Sequence, residues 1–171
     1  MANGTLISDA LAKALSGQVG EEYRASIQYV MIAAYFKRQA LPNLAGMFQR
    51  QAAEEAAHSQ KIMDYITNAG GVVQIPAIPQ GKSDFASVEE AVQLALDSEI
   101  EVAKMFNGHM ELAIAEHDHL ARGFLQWFVD EQLEEVSTMD DLLKVVRRAA
   151  NNLLYVEEYV AGQPAPHAGT A

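Results

Sequence analysis

Apolar residues recur every three to four positions along most of the chain, and the rhythm stops only in a few short segments. The first periodic stretch runs from about Leu6 to Arg38 and the second from about Asn43 to Asn68, where Ala69-Gly70-Gly71 reads as a C-cap. From Gly70 to Phe85 no helical period survives, and the segment is long for a connection inside one domain, so it reads as a crossover. Ser87-Val88-Glu89-Glu90 has the form of a capping box that opens a third helix to about Glu116. His117-Asp118-His119 is a short turn, a fourth helix follows from about Leu120 to Ala149, and Asn151-Asn152 starts a shorter fifth one that ends near Val160. Pro42, Pro76 and Pro79 stand where the period breaks, and Pro164 and Pro166 lie in a C-terminal tail expected to be disordered. Four helices of about 25 to 30 residues, joined by short, long and short connections, predict an all-α fold. It is a four-helix bundle with one long crossover plus a short fifth C-terminal helix. No strand pattern competes.

Each predicted helix has an apolar seam, and in each the seam is interrupted by a polar group. The first reads Leu15, Val19, Glu22, Ser26, Tyr29, Ala33, Phe36, which places Glu22 inside with Tyr29 two turns away; Glu21 belongs to the poorer row Ala14, Glu21, Gln28. The second reads Leu44, Phe48, Gln51, Glu55, His58, Ile62, Tyr65, so Glu55 and His58 form an inward Glu-x-x-His pair, the arrangement that di-metal bundles use. The third, Val88, Val92, Ala95, Glu99, Val102, Phe106, turns Glu99 inward and leaves Glu101 outside. The fourth, Ala121, Leu125, Phe128, Gln132, Glu135, Met139, Leu142, Val146, supplies a second inward i, i+3 pair. Every interruption lies near the middle of its helix, so antiparallel packing brings all six to one level. A buried carboxylate costs several kcal/mol unless it is paired or coordinates a metal. The inward rows offer almost no Lys or Arg to pair with, so the pattern points to cations. Glu55 is placed to bridge two metals, with Glu22 and His58 completing one site and Glu99 and Glu135 the other, and oxygen-rich donors with one imidazole suit iron, manganese or zinc.

Composition narrows the choice. The 171 residues contain no cysteine, which excludes disulfides, thiolate zinc sites and Fe–S clusters and fits a reducing compartment such as the cytoplasm. Twelve Lys and Arg against 23 Asp and Glu give a formal charge of −11, which argues against nucleic acid and anionic lipid as partners. Half the residues are apolar, yet no run approaches the roughly 20 needed to cross a bilayer, and Met1-Ala2-Asn3-Gly4-Thr5 does not open a signal peptide.

Glu22 with Tyr29, Glu54-Glu55-Ala56-Ala57-His58, Glu99, and the run Gln126-Trp127-Phe128-Val129-Asp130-Glu131-Gln132-Leu133-Glu134-Glu135 resemble the prokaryotic non-haem ferritins. The resemblance covers about Leu6 to Val160 and makes residues 1–162 one ferritin-like di-iron domain, with 163–171 as tail. It implies an iron-storage subunit and ferroxidase that oxidises Fe(II) with O2 or H2O2 and mineralises Fe(III) inside a hollow homo-oligomeric cage of twenty-four subunits. By position it implies a first metal site at Glu22, Glu55 and His58, and a second at Glu55, Glu99 and Glu135 with Gln132 close by. Tyr29 and Trp127 are then the neighbouring redox-active side chains. A third iron site falls at Glu54, Glu131, Glu134 and Glu135, although the first three also read as an ordinary solvated acidic face. Haem is not expected, because haem-binding relatives carry a second Glu-x-x-His and a methionine after the second-helix glutamate, where this chain has Gln132-x-x-Glu135 and Ala56.

Other features read more plainly. His109 is expected to be a satisfied bundle histidine, the methionines Met47, Met105 and Met139 core or interface filler, and His117-Asp118-His119 either a polar turn or part of a threefold pore. Leu153, Leu154, Tyr155, Val156 and Tyr159 give the fifth helix more apolar surface than a lone helix should expose, which fits burial at a fourfold axis. A non-storing di-metal oxidase or peroxide-consuming protein is the competing enzyme reading, and a structural or cargo bundle whose carboxylates hold inert zinc or calcium is the competing non-enzyme reading.

Overall fold

A computed structural model describes residues 4–150 and 152–163. Five helices follow in order: α1 Asp9–Arg38, α2 Pro42–Asn68, α3 Val88–Ala115, α4 His119–Ala149 and α5 Leu153–Ala161. The tail from residue 164 onward lies outside the described residues.

Local chemistry sets the helix ends. The period suggested that α1 begins near Leu6, but it begins at Asp9, because extended Ser8 accepts the N–H of Leu11 at 3.0 Å and the acidic Asp9 sits in the first turn. At α3, Ser87 accepts the N–H of Glu90 at 3.1 Å, and the Glu90 carboxylate reaches back to the N–H of Ala86 at 2.5 Å, one residue further out than the usual capping box. α2 ends as expected: Gly70 takes φ +81° and Gly71 donates to the carbonyl of Ile66 at 2.8 Å. The same reversal follows α1 and α3, where Ala40 and His117, each at φ +56°, occupy the left-handed position. Leu41 then donates to Phe36 and Asp118 to Ala113, which frees the Asp118 side chain to cap α4 by accepting from Ala121 at 2.8 Å.

α1 packs on α2 and α3 on α4, with α1 also touching α3. The crossover is stapled along α1. Gln74 donates to Ser16 Oγ at 3.1 Å, Pro76 lies against Gly20 where a Cβ would stand 2.5 Å from its ring, and the Gln28 amide bonds both the N–H and the carbonyl of Lys82 at 2.8 and 2.9 Å. α5 packs on α2 and α4, facing Val156 and Val160 inward. Its buried Glu157 accepts the N–H groups of Asn43 and Leu44, both at 2.8 Å, and so caps α2, which has no side-chain cap of its own.

The bundle interior forms two apolar clusters, one built around Tyr29, Phe36, Phe48, Val92 and Met139, the other around Leu15, Ile62, Phe106, Leu125 and Phe128. All four long helices contribute to both clusters, and each helix crosses the gap between them at its predicted seam interruption. Met47 and Met139 are core filler as expected, whereas Met105 is 41 % exposed.

Candidate metal centre

The gap between the clusters holds Glu22 from α1, Glu55 and His58 from α2, Glu99 from α3, and Gln132 and Glu135 from α4. All six are between 0 % and 6 % exposed. One donor atom from each of Glu22, Glu55 and His58 lies within 4.8 Å of the others, and the same holds for Glu55, Glu99 and Glu135. Glu55 therefore belongs to both triads, as the spacing predicts. Gln132 donates to Glu135, and the Tyr29 hydroxyl donates to Glu99 across the bundle.

The remaining polar capacity is unmet. Glu22 Oε2, Glu55 Oε1, His58 Nδ1 and Gln132 Oε1 are buried with no hydrogen-bond partner, although His58 Nδ1 lies 3.4 Å from Glu55, 3.7 Å from Glu22 and 3.9 Å from Glu135. Among the described residues no Lys or Arg forms an ion pair with these carboxylates. Burial drives Glu55 and Glu135 well above the usual carboxylate range, and their mutual repulsion with Glu99 adds to it. Glu99 is pushed up to about 7, again first by burial, with the Tyr29 hydrogen bond working against the rise. Burial opposes ionisation of Glu22 too, but its contacts with His58, Glu55 and Gln18 hold its carboxyl below the usual range. His58 shows the complementary effect: burial lowers it, yet Glu22 and the surrounding charges outweigh burial and raise it to about 9. Among the described residues His58 is the one basic side chain within ion-pair distance of these carboxylates, and two divalent ions would neutralise the cluster more completely. The oxygen-rich donor set and the orphaned buried atoms both fit such ions.

A cleft of about 620 Å³ between α2, α4 and α5 borders the cluster, with Gln51 and Glu135 in its wall. Glu54, Glu131 and Glu134 line the same cleft; Glu54 and Glu131 are half-buried and Glu134 is exposed. Burial, Glu131 and Glu134 raise the Glu54 carboxyl, partly offset by His58 and Arg50. The acidic face is therefore continuous with the buried centre. Trp127 is half-buried, edge-on to His58 at 5.4 Å, with Lys61 Nζ 4.1 Å from its ring centre. His109 is satisfied as expected, by Gln18 at 3.0 Å.

Sequence periodicity left Gln18 unmarked, although it lies one turn from Glu22 and is 1 % exposed. Its i, i−4 relation to an inward glutamate was the available signal. The crossing of Tyr29 to Glu99 was also unmarked, since one helix's period says nothing of the residue it meets on another.

Comparison with known proteins identifies the family. The family described as Ferritin-like domain matches residues 12–149. Ferritin BfrB of Mycolicibacterium smegmatis is 35 % identical over 161 residues, covering 94 % of this chain and 89 % of that one. The bacterial non-heme ferritin of Staphylococcus aureus is 35 % identical over 159 residues, covering 92 % and 96 %. Among solved structures, an open pore ferritin from the archaeon Archaeoglobus fulgidus superposes with a TM-score of 0.89 at 27 % identity, covering 93 % of this chain and 99 % of the other.

Proposed function

The chain belongs to the ferritin family, and from that premise we propose that it is a ferroxidase whose product is stored as mineral inside a hollow homo-oligomeric cage of twenty-four subunits. The observation that carries the reading is Glu55, shared by two buried triads with which, among the described residues, no Lys or Arg forms an ion pair. Two Fe(II) ions are the substrate: Glu22, Glu55 and His58 hold one, and Glu55, Glu99 and Glu135 the other. Each Fe(II) gives up one electron, and O2 takes the two electrons with two protons to become H2O2; where H2O2 is the oxidant, the two electrons and two protons convert it to two waters. Gln132 orients Glu135, Tyr29 orients Glu99, and both keep the carboxylates spaced for two ions. Tyr29 and Trp127 stand close enough to exchange electrons with the centre. Glu54, Glu131 and Glu134, with Glu135 shared, form a third iron site in the cleft. No haem enters this scheme. No described helix is long and apolar enough to cross a membrane, and the cytoplasm is the proposed compartment.

The test is anaerobic addition of Fe(II) to metal-free protein on a sizing column, then air, with the near-ultraviolet Fe(III) signal recorded. The expected result is a particle far larger than one bundle that oxidises and retains many irons per chain. Glu55→Ala and His58→Ala should each slow initial oxidation at least about tenfold. A small oligomer that turns over two irons per chain and keeps no more would replace storage with a di-metal oxidase, and unchanged rates in both variants would remove the centre itself.

A further inference from the structure

Glu22 is tethered at one oxygen and bare at the other. Its Oε1 accepts from Gln18 Nε2 at 2.6 Å, while Oε2 has no hydrogen bond and lies 3.7 Å from His58 Nδ1. The opposite end of the Gln18 amide faces His109 Nε2 on α3 at 3.0 Å. An ionised carboxylate can only accept, so the amide NH2 is the end that meets Glu22 and the amide oxygen the end that meets His109. His109 must then donate. Donation runs one way, from imidazole through amide to carboxylate, and it fixes the His109 tautomer with its proton on Nε2. Burial lowers the basicity of His109, in keeping with a neutral ring.

We propose that Gln18 and His109 are positioning residues for the iron centre: they hold Oε1 of Glu22 on the Gln18 amide and so leave Oε2 as the oxygen presented alongside Glu55 and His58. Without the tether, a glutamate side chain has rotamer freedom to lose on binding a metal, and its two oxygens exchange roles. Hydrogen bonding to a ligand from the shell behind it typically sets metal affinity within a range of about 10- to 100-fold. The inference rests on the reading of Glu22, Glu55 and His58 as an iron site.

The test uses the assembled, metal-free protein and Co(II), added without oxygen as an ion that is not oxidised, with affinity read by calorimetry and ligand geometry by the visible absorption of Co(II). Gln18→Met keeps the side chain's length and removes the donor. It should weaken one of the two Co(II) ions by about tenfold or more and alter its absorption band, with particle size unchanged. His109→Ala should weaken the same ion by a smaller factor, and His109→Gln, which keeps a donor, should restore it. The double variant Gln18→Met/His109→Ala should match Gln18→Met alone, because His109 acts only through Gln18. Wild-type affinity and spectrum in Gln18→Met overturn the proposal, as do additive losses in the double variant. Should Gln18→Met not assemble, unchanged Co(II) binding in His109→Ala overturns it instead. Failure of the underlying iron site looks different: wild-type protein would bind no pair of Co(II) ions, or Glu22→Ala and His58→Ala would bind them normally.

Discussion

Glu55 sits where the interests of the metal-free fold and of metal binding diverge most. It is 1 % exposed, and burial together with the charges of Glu99 and Glu22 disfavours its ionised form. Gln has the same shape without the charge, so Glu55→Gln removes repulsion and keeps the packing. The variant is expected to bind no metal pair and yet to melt about 2–4 °C higher than wild type when both are metal-free, the shift that roughly 1 kcal/mol produces in a chain of this size. A lower melting point would show that Glu55 is stabilised by its neighbours rather than strained by them. Addition of a redox-silent ion at about 100 times its dissociation constant should stabilise wild type by about 2.7 kcal/mol for each ion bound and leave Glu55→Gln where it was. Scanning calorimetry with and without Zn(II) reads both effects. All six residues of the buried cluster were legible in the sequence as inward-facing, because a polar residue inside an apolar row is conspicuous. Gln18 was not, since a glutamine is at home either inside or outside a helix, and only the contact with Glu22 decides its role.

At the scale of elements, the helix ends show which local signals the sequence carries. Gly70 was readable as a C-cap because glycine takes φ > 0 freely. Ala40 and His117 adopt the same conformation with a Cβ in the way, so although the breaks at Pro42 and at His117-Asp118-His119 were readable, the residue that takes the left-handed position was not. Ala40→Gly is therefore expected to stabilise by about 1 kcal/mol, the penalty an L residue meets in the left-handed region, with Gly70→Ala moving the other way. Chemical denaturation of the two variants tests the pair, and destabilisation by Ala40→Gly would refute the strain. α2 poses the opposite problem: it begins without a side-chain cap in sequence, and its cap arrives from Glu157 on α5. Such a partner, over a hundred residues away, is invisible to any local rule. Glu157→Ala removes a charged acceptor from two N–H groups and should cost about 1–2 kcal/mol, with faster amide exchange in α5 and in the first turn of α2. Exchange confined to α5 would mean that α2 is capped by something else. The stapling of the crossover to Ser16, Gly20 and Gln28 was equally hidden, since it depends on a segment that has no period of its own meeting a helix face.

The whole molecule resolves a tension between charge and apolar surface. With a formal charge of −11, copies of the chain repel one another, so a large assembly needs apolar faces that outweigh the repulsion. α5 has one. Val156 and Val160 are spent on the bundle, but Leu154 is 79 % exposed and Tyr155 52 % exposed on the same short helix. The sequence showed that α5 is too apolar for a lone helix, but not which residues would face its own bundle, because nine residues make too few turns for a seam to be read. Burial of a leucine side chain contributes about 1.5–3 kcal/mol, and in a closed ring of copies the contribution repeats at every contact. Leu154→Glu reverses it and adds a charge where charges already repel. The variant is expected to sediment as species smaller than the wild-type particle at low salt, to recover partly as salt screens the added charge, and to keep wild-type helix content throughout. Its centre, some distance along the bundle and built within one chain, should still bind two Co(II) ions. If Leu154→Glu assembles like wild type at low salt, α5 lies outside the contacts that build the particle, and those contacts must be sought among the other exposed apolar residues, such as Val30 on α1, Val72 in the crossover and Leu120 and Leu133 on α4.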